Sequence, residues 1–127
     1  MTGSEPIILL VEDNEVNRDM LVRRLQRAGH KVATAGDGES ALTAMREQHP
    51  AVVLMDMNLP VKDGWTACRE AQQDASIAGI PIIALTAHAM EEDKYRALEA
   101  GCSDYATKPV DFPDLLTKIA AQLDAHD

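Results

Sequence analysis

The stretch AVVLMDMNLP, residues 51–60, decides how the chain is read. Five apolar residues run straight into Asp56, and the run breaks at Pro60. Apolar runs this dense belong inside a protein, and this one reads as a buried strand over 51–56. A carboxylate at the end of such a strand is costly unless something there uses a negative charge. The question is what Asp56 holds or receives.

Working outward, the same kind of segment recurs. PIILLVE (6–12), KVATA (31–35), IPIIALTA (80–87) and residues 104–107 read as four further strands. Between them lie amphipathic segments with helix signals. NEVNRDMLVRRLQRAG (14–29) stops at Gly29, and a segment with acidic residues in its first turn, 91–100, stops at Gly101. Asp37, Asp63 and Asp111 are placed to cap helices over 38–48, 64–74 and from 112 onward, the last with Pro113 in its first turn. Five strands alternating with five helices predict an α/β, doubly wound parallel sheet with helices on both faces.

Composition fits one soluble domain. The chain has 127 residues, 46% apolar and 26% charged, enough for a single core. Aromatics are only 3%, so the core must be aliphatic. The net charge of -9 argues against direct binding to nucleic acid or an anionic membrane. No apolar run is long enough to span a bilayer, and MTGSEP lacks the features of a signal peptide. Cys68 and Cys102 are far apart in sequence without CxxC spacing, so two buried free thiols in a reducing cytoplasm are expected.

In doubly wound sheets the working site lies at the carboxyl ends of the strands. The first strand ends in Glu12 and Asp13, the third in Asp56 and the fourth in Thr86, while Lys108 and Pro109 follow the fifth. Three carboxylates on one rim repel one another, which a bound cation relieves. Oxygen-only ligands select a hard metal, Mg²⁺ before Ca²⁺, and Mg²⁺ shares its coordination with phosphate oxygens.

VEDN (11–14), LMDMNLP (54–60), DGW (63–65), LTA (85–87) and KP (108–109), taken in order, resemble the receiver domain of two-component response regulators. The resemblance runs from about Pro6 to Leu123, and the VEDNEVNR start is similar to receivers of hybrid histidine kinases and related single-domain regulators. It implies a flavodoxin-like fold with strand order 2-1-3-4-5. Residues 1–5 would be a flexible lead, 6–124 the receiver domain and 125–127 a tail, with no output domain. It implies a cytoplasmic phosphorelay switch rather than an enzyme. Asp56 would accept a phosphoryl group from a phosphohistidine on a histidine kinase or histidine phosphotransfer protein, and the domain would promote its own phosphorylation and dephosphorylation.

The same resemblance assigns Mg²⁺ to Asp13, Asp56 and the backbone carbonyl of Asn58, with Glu12 acting through water. Lys108 and Thr86 would assist at the phosphoryl group, and the bond to Pro109 would be cis. Thr86 and Tyr105 would form the switch, Ala87 would leave access to the phosphoryl group, and Asn58 and His88 would tune dephosphorylation.

The first helix adds a reading of its own. At about 100° per residue, Leu21, Leu25 and Ala28 share a core stripe with Asn14 and Asn17 beside it. Val16, Met20, Arg23 and Arg27 fall on another side. An apolar pair flanked by two arginines on an acidic protein reads as a docking patch for the kinase or phosphotransfer partner. An FMN-binding flavodoxin-like protein shares the fold, but its phosphate-cradling loop would be EDNEVN here, which repels phosphate without a metal. A Mg²⁺-dependent phosphatase needs an acid where Asn58 stands. A non-phosphorylated pseudo-receiver adaptor usually lacks one of Glu12, Asp13, Asp56, Thr86 and Lys108, all of which are present.

Overall fold

In a computed structural model, which describes residues 6–59, 61–86, 95, 96 and 98–125, the central strands bury both of their faces. The strands are β1 (Ile7–Val11), β2 (Lys31–Ala35), β3 (Val52–Asp56), β4 (Ile82–Thr86) and β5 (Asp104–Thr107). All neighbouring pairs are parallel, in the order β2-β1-β3-β4-β5. This is the flavodoxin-like order expected above, and the sequence reversal falls between β1 and β3.

Alternation along the strands splits the core in two. Leu9, Val11, Val53, Met55, Ile82 and Ala84 face α2 (Gly38–Gln48) and α3 (Gly64–Gln73). Ile8, Leu10, Val52, Leu54, Ile83 and Leu85 face α1 (Glu15–Arg27) and the C-terminal helix α4 (Phe112–Ala125). Side chains such as Leu54 and Ile83 are fully buried. Each contributes about 1.5–3 kcal/mol relative to remaining in water. The strand ends are therefore held by two packed layers.

The helices start where the aspartates predicted. Asp37 accepts from the Ser40 amide at 2.7 Å, Asp63 from Thr66 at 2.8 Å and Asp111 from Asp114 at 3.2 Å. Asn14 caps α1 through the Asn17 amide. Gly29 and Gly101 end their segments at φ of 95° and 101°, which side-chain-bearing residues rarely adopt.

Two expectations need correction. Among the described residues four helices have defined bounds, not five. The expected helix over 91–100 lies largely outside the described residues, although Tyr95, Arg96, Leu98 and Glu99 are helical. Ala28 is exposed rather than part of the core stripe, because α1 has already ended at Arg27 and Ala28 is its C-cap. Leu21 and Leu25 are buried, with Val22 packed beside them.

Gly64 sets the position of the third strand's end. A Cβ there would lie 2.6 Å from the Asp56 carbonyl oxygen and 2.8 Å from Met57 Cα, so only glycine lets α3 start this close. Its amide donates to the Met57 carbonyl at 3.0 Å. At Val61, φ of 65° is costly for a β-branched residue, so the loop between β3 and α3 holds a strained backbone next to the rim.

Candidate functional site

The parallel sheet brings the ends of β1, β3 and β5 together. Glu12, Asp13 and Asp56 each offer a carboxylate oxygen, and these atoms lie within 4.8 Å of one another. Glu12 and Asp56 are buried, at 2% and 4% exposure, whereas Asp13 faces solvent. Lys108 Nζ donates to Asp56 Oδ2 at 2.7 Å and to Glu12 Oε1 at 3.4 Å, a contact spanning 96 residues of sequence. The Asn58 amide donates to Asp56 Oδ1 at 2.9 Å. Both Asp56 oxygens are thus held, one by a backbone donor and one by a cation.

The electrostatics are those of a crowded acidic site. Burial pushes the Glu12 carboxyl above its ordinary value, and the neighbouring Asp56 pushes it further, against the pull of Lys108. Burial acts to lower the Lys108 ammonium, but its hydrogen bonds and attraction to Asp56 and Glu12 outweigh this, and its pKa is raised. One ammonium therefore does not fully compensate the carboxylates. An oxygen-only donor set with negative charge to spare fits a hard divalent cation, which these three residues could hold.

This has a testable pH consequence. A carboxyl whose folded-state pKa is raised stabilises the fold below its unfolded value, near 4.5 for Glu12. That contribution is lost as pH rises through the folded value. A divalent cation reverses the balance by favouring the ionised form. Mg²⁺ affinity, read by titration calorimetry, should fall as pH is lowered through the raised Glu12 pKa. Glu12→Gln should flatten that dependence and weaken binding.

Thr86 is buried at the end of β4, and its carbonyl accepts from the Lys108 amide at 2.7 Å. The Lys108–Pro109 peptide is cis. Tyr105 is half-buried on β5, opposite Ala84 of β4. Asn58 is exposed beside Asp56. His88 and Ala87 lie outside the described residues. Val16, Met20, Arg23 and Arg27 are all exposed on α1, Val16 at 76% and Met20 at 47%. They line a groove of about 410 Å³ together with Asp19 and Arg24. A second groove of about 330 Å³ shares Met20 and Arg24 and reaches Glu12, Lys108 and Phe112. The patch is therefore continuous with the acidic rim.

Two contacts escaped sequence reading. Arg18 Nη1 donates to the Glu12 carbonyl at 3.1 Å, tying α1 to the end of β1. Lys118 of α4 donates to the Tyr105 carbonyl at 2.6 Å and sits 5.1 Å from the centre of its ring, while Asp114 holds the same ammonium at 3.2 Å. The Asp114–Lys118 spacing is a visible helical pair, but its meeting with Tyr105 depends on how α4 packs.

Residues 8–120 match the family model of the response regulator receiver domain. The transcriptional regulatory protein AfsQ1 of Streptomyces coelicolor is 41% identical over 93% of this chain, and the chain spans about half, 51%, of that relative's length. Among solved structures, the receiver domain of the sensor histidine kinase PA1611 from Pseudomonas aeruginosa has magnesium coordinated in its active-site cleft. It is 36% identical with a TM-score of 0.87, covering 95% of this chain and 99% of that one. The receiver domain of Saccharomyces cerevisiae Ssk1, solved with the histidine phosphotransfer protein Ypd1, is 33% identical with a TM-score of 0.83, covering 91% and 86%.

Proposed function

The chain belongs to the response regulator receiver family, the receiver domain of phosphorelay signalling, and from that premise we propose that Asp56 is its phosphoacceptor. The donor is a phosphohistidine on a histidine kinase or a histidine phosphotransfer protein. An Asp56 carboxylate oxygen forms the new P–O bond as the P–N bond to the imidazole breaks. The imidazole nitrogen keeps the electron pair and is then protonated. The observation that carries this reading is the pairing of a buried strand-end carboxylate with the Lys108 ammonium at 2.7 Å, inside a cluster of three carboxylates.

Lys108 supplies positive charge to the phosphoryl oxygens as they arrive, and the Asn58 amide keeps Asp56 aimed. Asp13, Asp56, the Asn58 carbonyl and, through water, Glu12 would hold Mg²⁺, which when bound would neutralise charge on the transferring group. The magnesium site of the Pseudomonas receiver supports this assignment. The new phosphate draws the Thr86 hydroxyl, and Tyr105 turns inward, changing the face offered to partners. Asn58 and His88 set the rate at which water removes the phosphoryl group. The domain, residues 6–124, works in the cytoplasm and promotes its own phosphorylation and dephosphorylation. Intact mass after incubation with acetyl phosphate and Mg²⁺ tests the proposal, with one added phosphoryl group expected on the peptide containing Asp56. No gain, or a gain elsewhere, would sink it.

The groove formed by Val16, Met20, Arg23 and Arg27 docks the phosphotransfer partner. Its continuity with the acidic rim and the Ssk1–Ypd1 complex support that role. Arg23→Glu with Arg27→Glu should slow transfer from a phosphotransfer protein by roughly tenfold or more, since surface charges act chiefly on encounter. Phosphorylation by acetyl phosphate, which needs no docking, should persist. Equal loss of both would point to a damaged fold rather than a lost interface.

A further inference from the structure

The fold also brings together one pair of reactive groups that phosphoryl transfer leaves unused. Cys68 projects from α3 and Cys102 lies two residues before β5. Their sulfurs are 3.1 Å apart, although 34 residues separate them in sequence. Both are free thiols and both are buried, Cys68 completely and Cys102 at 5% exposure. They share an apolar cluster with Ala67, Ala71, Ile77 and Ala100.

The spacing selects between the two uses of a thiol pair. Two thiolates on one tetrahedral metal ion, at about 2.3 Å each, sit roughly 3.8 Å apart. A disulfide needs about 2.05 Å. The sulfurs are already closer than metal ligation requires, and one short approach would complete a bond. The hydrogen bond to Cys102, and then burial, push the Cys68 thiol far above its ordinary value, so Cys68 is a poor nucleophile at rest. Exchange therefore needs local opening, and Cys102, the less buried of the two residues at 5% exposure, is the one taken to meet solvent first.

We propose that Cys68 and Cys102 are a modification site, forming a reversible intramolecular disulfide by exchange with a low-molecular-weight disulfide. Cys102 thiolate attacks one sulfur of the small disulfide, forming a mixed disulfide and releasing one small thiolate. Cys68 thiolate then attacks the Cys102 sulfur and releases the second. Two protein thiols are oxidised, the small disulfide is reduced to two thiols, and the two protein protons pass to the released thiolates. The bond ties α3 to the chain just ahead of β5, and it does not depend on the assignment of Asp56.

The test equilibrates the folded wild-type chain with glutathione buffers of graded ratio, starting from the dithiol and from pre-oxidised protein. Samples are quenched in acid and read by intact mass and by non-reduced peptide mapping. The expected product has lost two hydrogen atoms and yields a linked Cys68–Cys102 peptide. It should form at a ratio at least tenfold more reducing than the urea-unfolded chain requires, with a thermal midpoint several degrees above the reduced form. Cys68→Ser and Cys102→Ser should show neither change. Glutathione adducts in place of the link, an equal ratio for folded and unfolded chain, or a lowered midpoint would each overturn the proposal.

Discussion

Asp56→Asn should take up no phosphoryl group, from acetyl phosphate or from a phosphohistidine partner, an expected loss of more than about 10³-fold set by the detection limit. The substitution preserves shape. The amide oxygen of Asn can still accept the Asn58 amide, which reaches Asp56 Oδ1 at 2.9 Å. Its nitrogen, however, would face Lys108 Nζ, where Asp56 Oδ2 now accepts at 2.7 Å, and two donors cannot pair. An uncharged amide neither attacks phosphorus at a useful rate nor draws Mg²⁺. The fold itself should survive, because burial is the main cause that raises Glu12 and removing the neighbouring carboxylate only eases the crowding there. Thermal unfolding of the variant within about 1 kcal/mol of wild type, together with an unchanged intact mass after acetyl phosphate, is the expected pair of results. A variant that still gains a phosphoryl group would place the acceptor on another residue.

Asp56 was legible because two signals meet there. The apolar run over 51–55 must be buried, and the loop after it must open, so a charge between them sits at a strand end. The caps at Asp37, Asp63 and Asp111 were equally visible, because capping is local chemistry between residues three apart. Ala28 misled for the complementary reason: periodicity does not say where a helix stops, and one residue past Arg27 the face no longer exists. The Cys68–Cys102 contact and the grip of Lys118 on Tyr105 were not legible at all. Each joins elements whose approach is fixed by how helices pack on the sheet, and no spacing in the sequence encodes it. The acidic rim lies between these cases. Its members could be assigned to one edge of the sheet, but the opposing effects of burial and Lys108 on Glu12 required coordinates.

Lys108→Ala should separate the charge that binds metal from the charge that moves phosphoryl. Among the described residues, Lys108 is the cation in contact with both Glu12 and Asp56, at 3.4 and 2.7 Å. Its removal leaves two buried carboxylates facing each other and Asp13 without that counter-charge. The metal-free variant should therefore lose about 1–3 kcal/mol of stability, the scale of an uncompensated buried polar group. Mg²⁺ should bind more tightly than in wild type, because the ammonium no longer competes for the Asp56 oxygen, and bound metal should recover much of the lost stability. Phosphorylation should nonetheless slow by roughly 10²–10³-fold, the usual cost of deleting one donor aimed at developing negative charge. Tighter metal with slower transfer is a combination that a merely damaged site does not produce, since distortion of the rim would weaken both. Calorimetric Mg²⁺ titration beside a time course of acetyl phosphate labelling reads the two quantities on the same protein. Unchanged Mg²⁺ binding with transfer intact would mean that the 2.7 Å contact serves only to tie the chain after β5 to the end of β3.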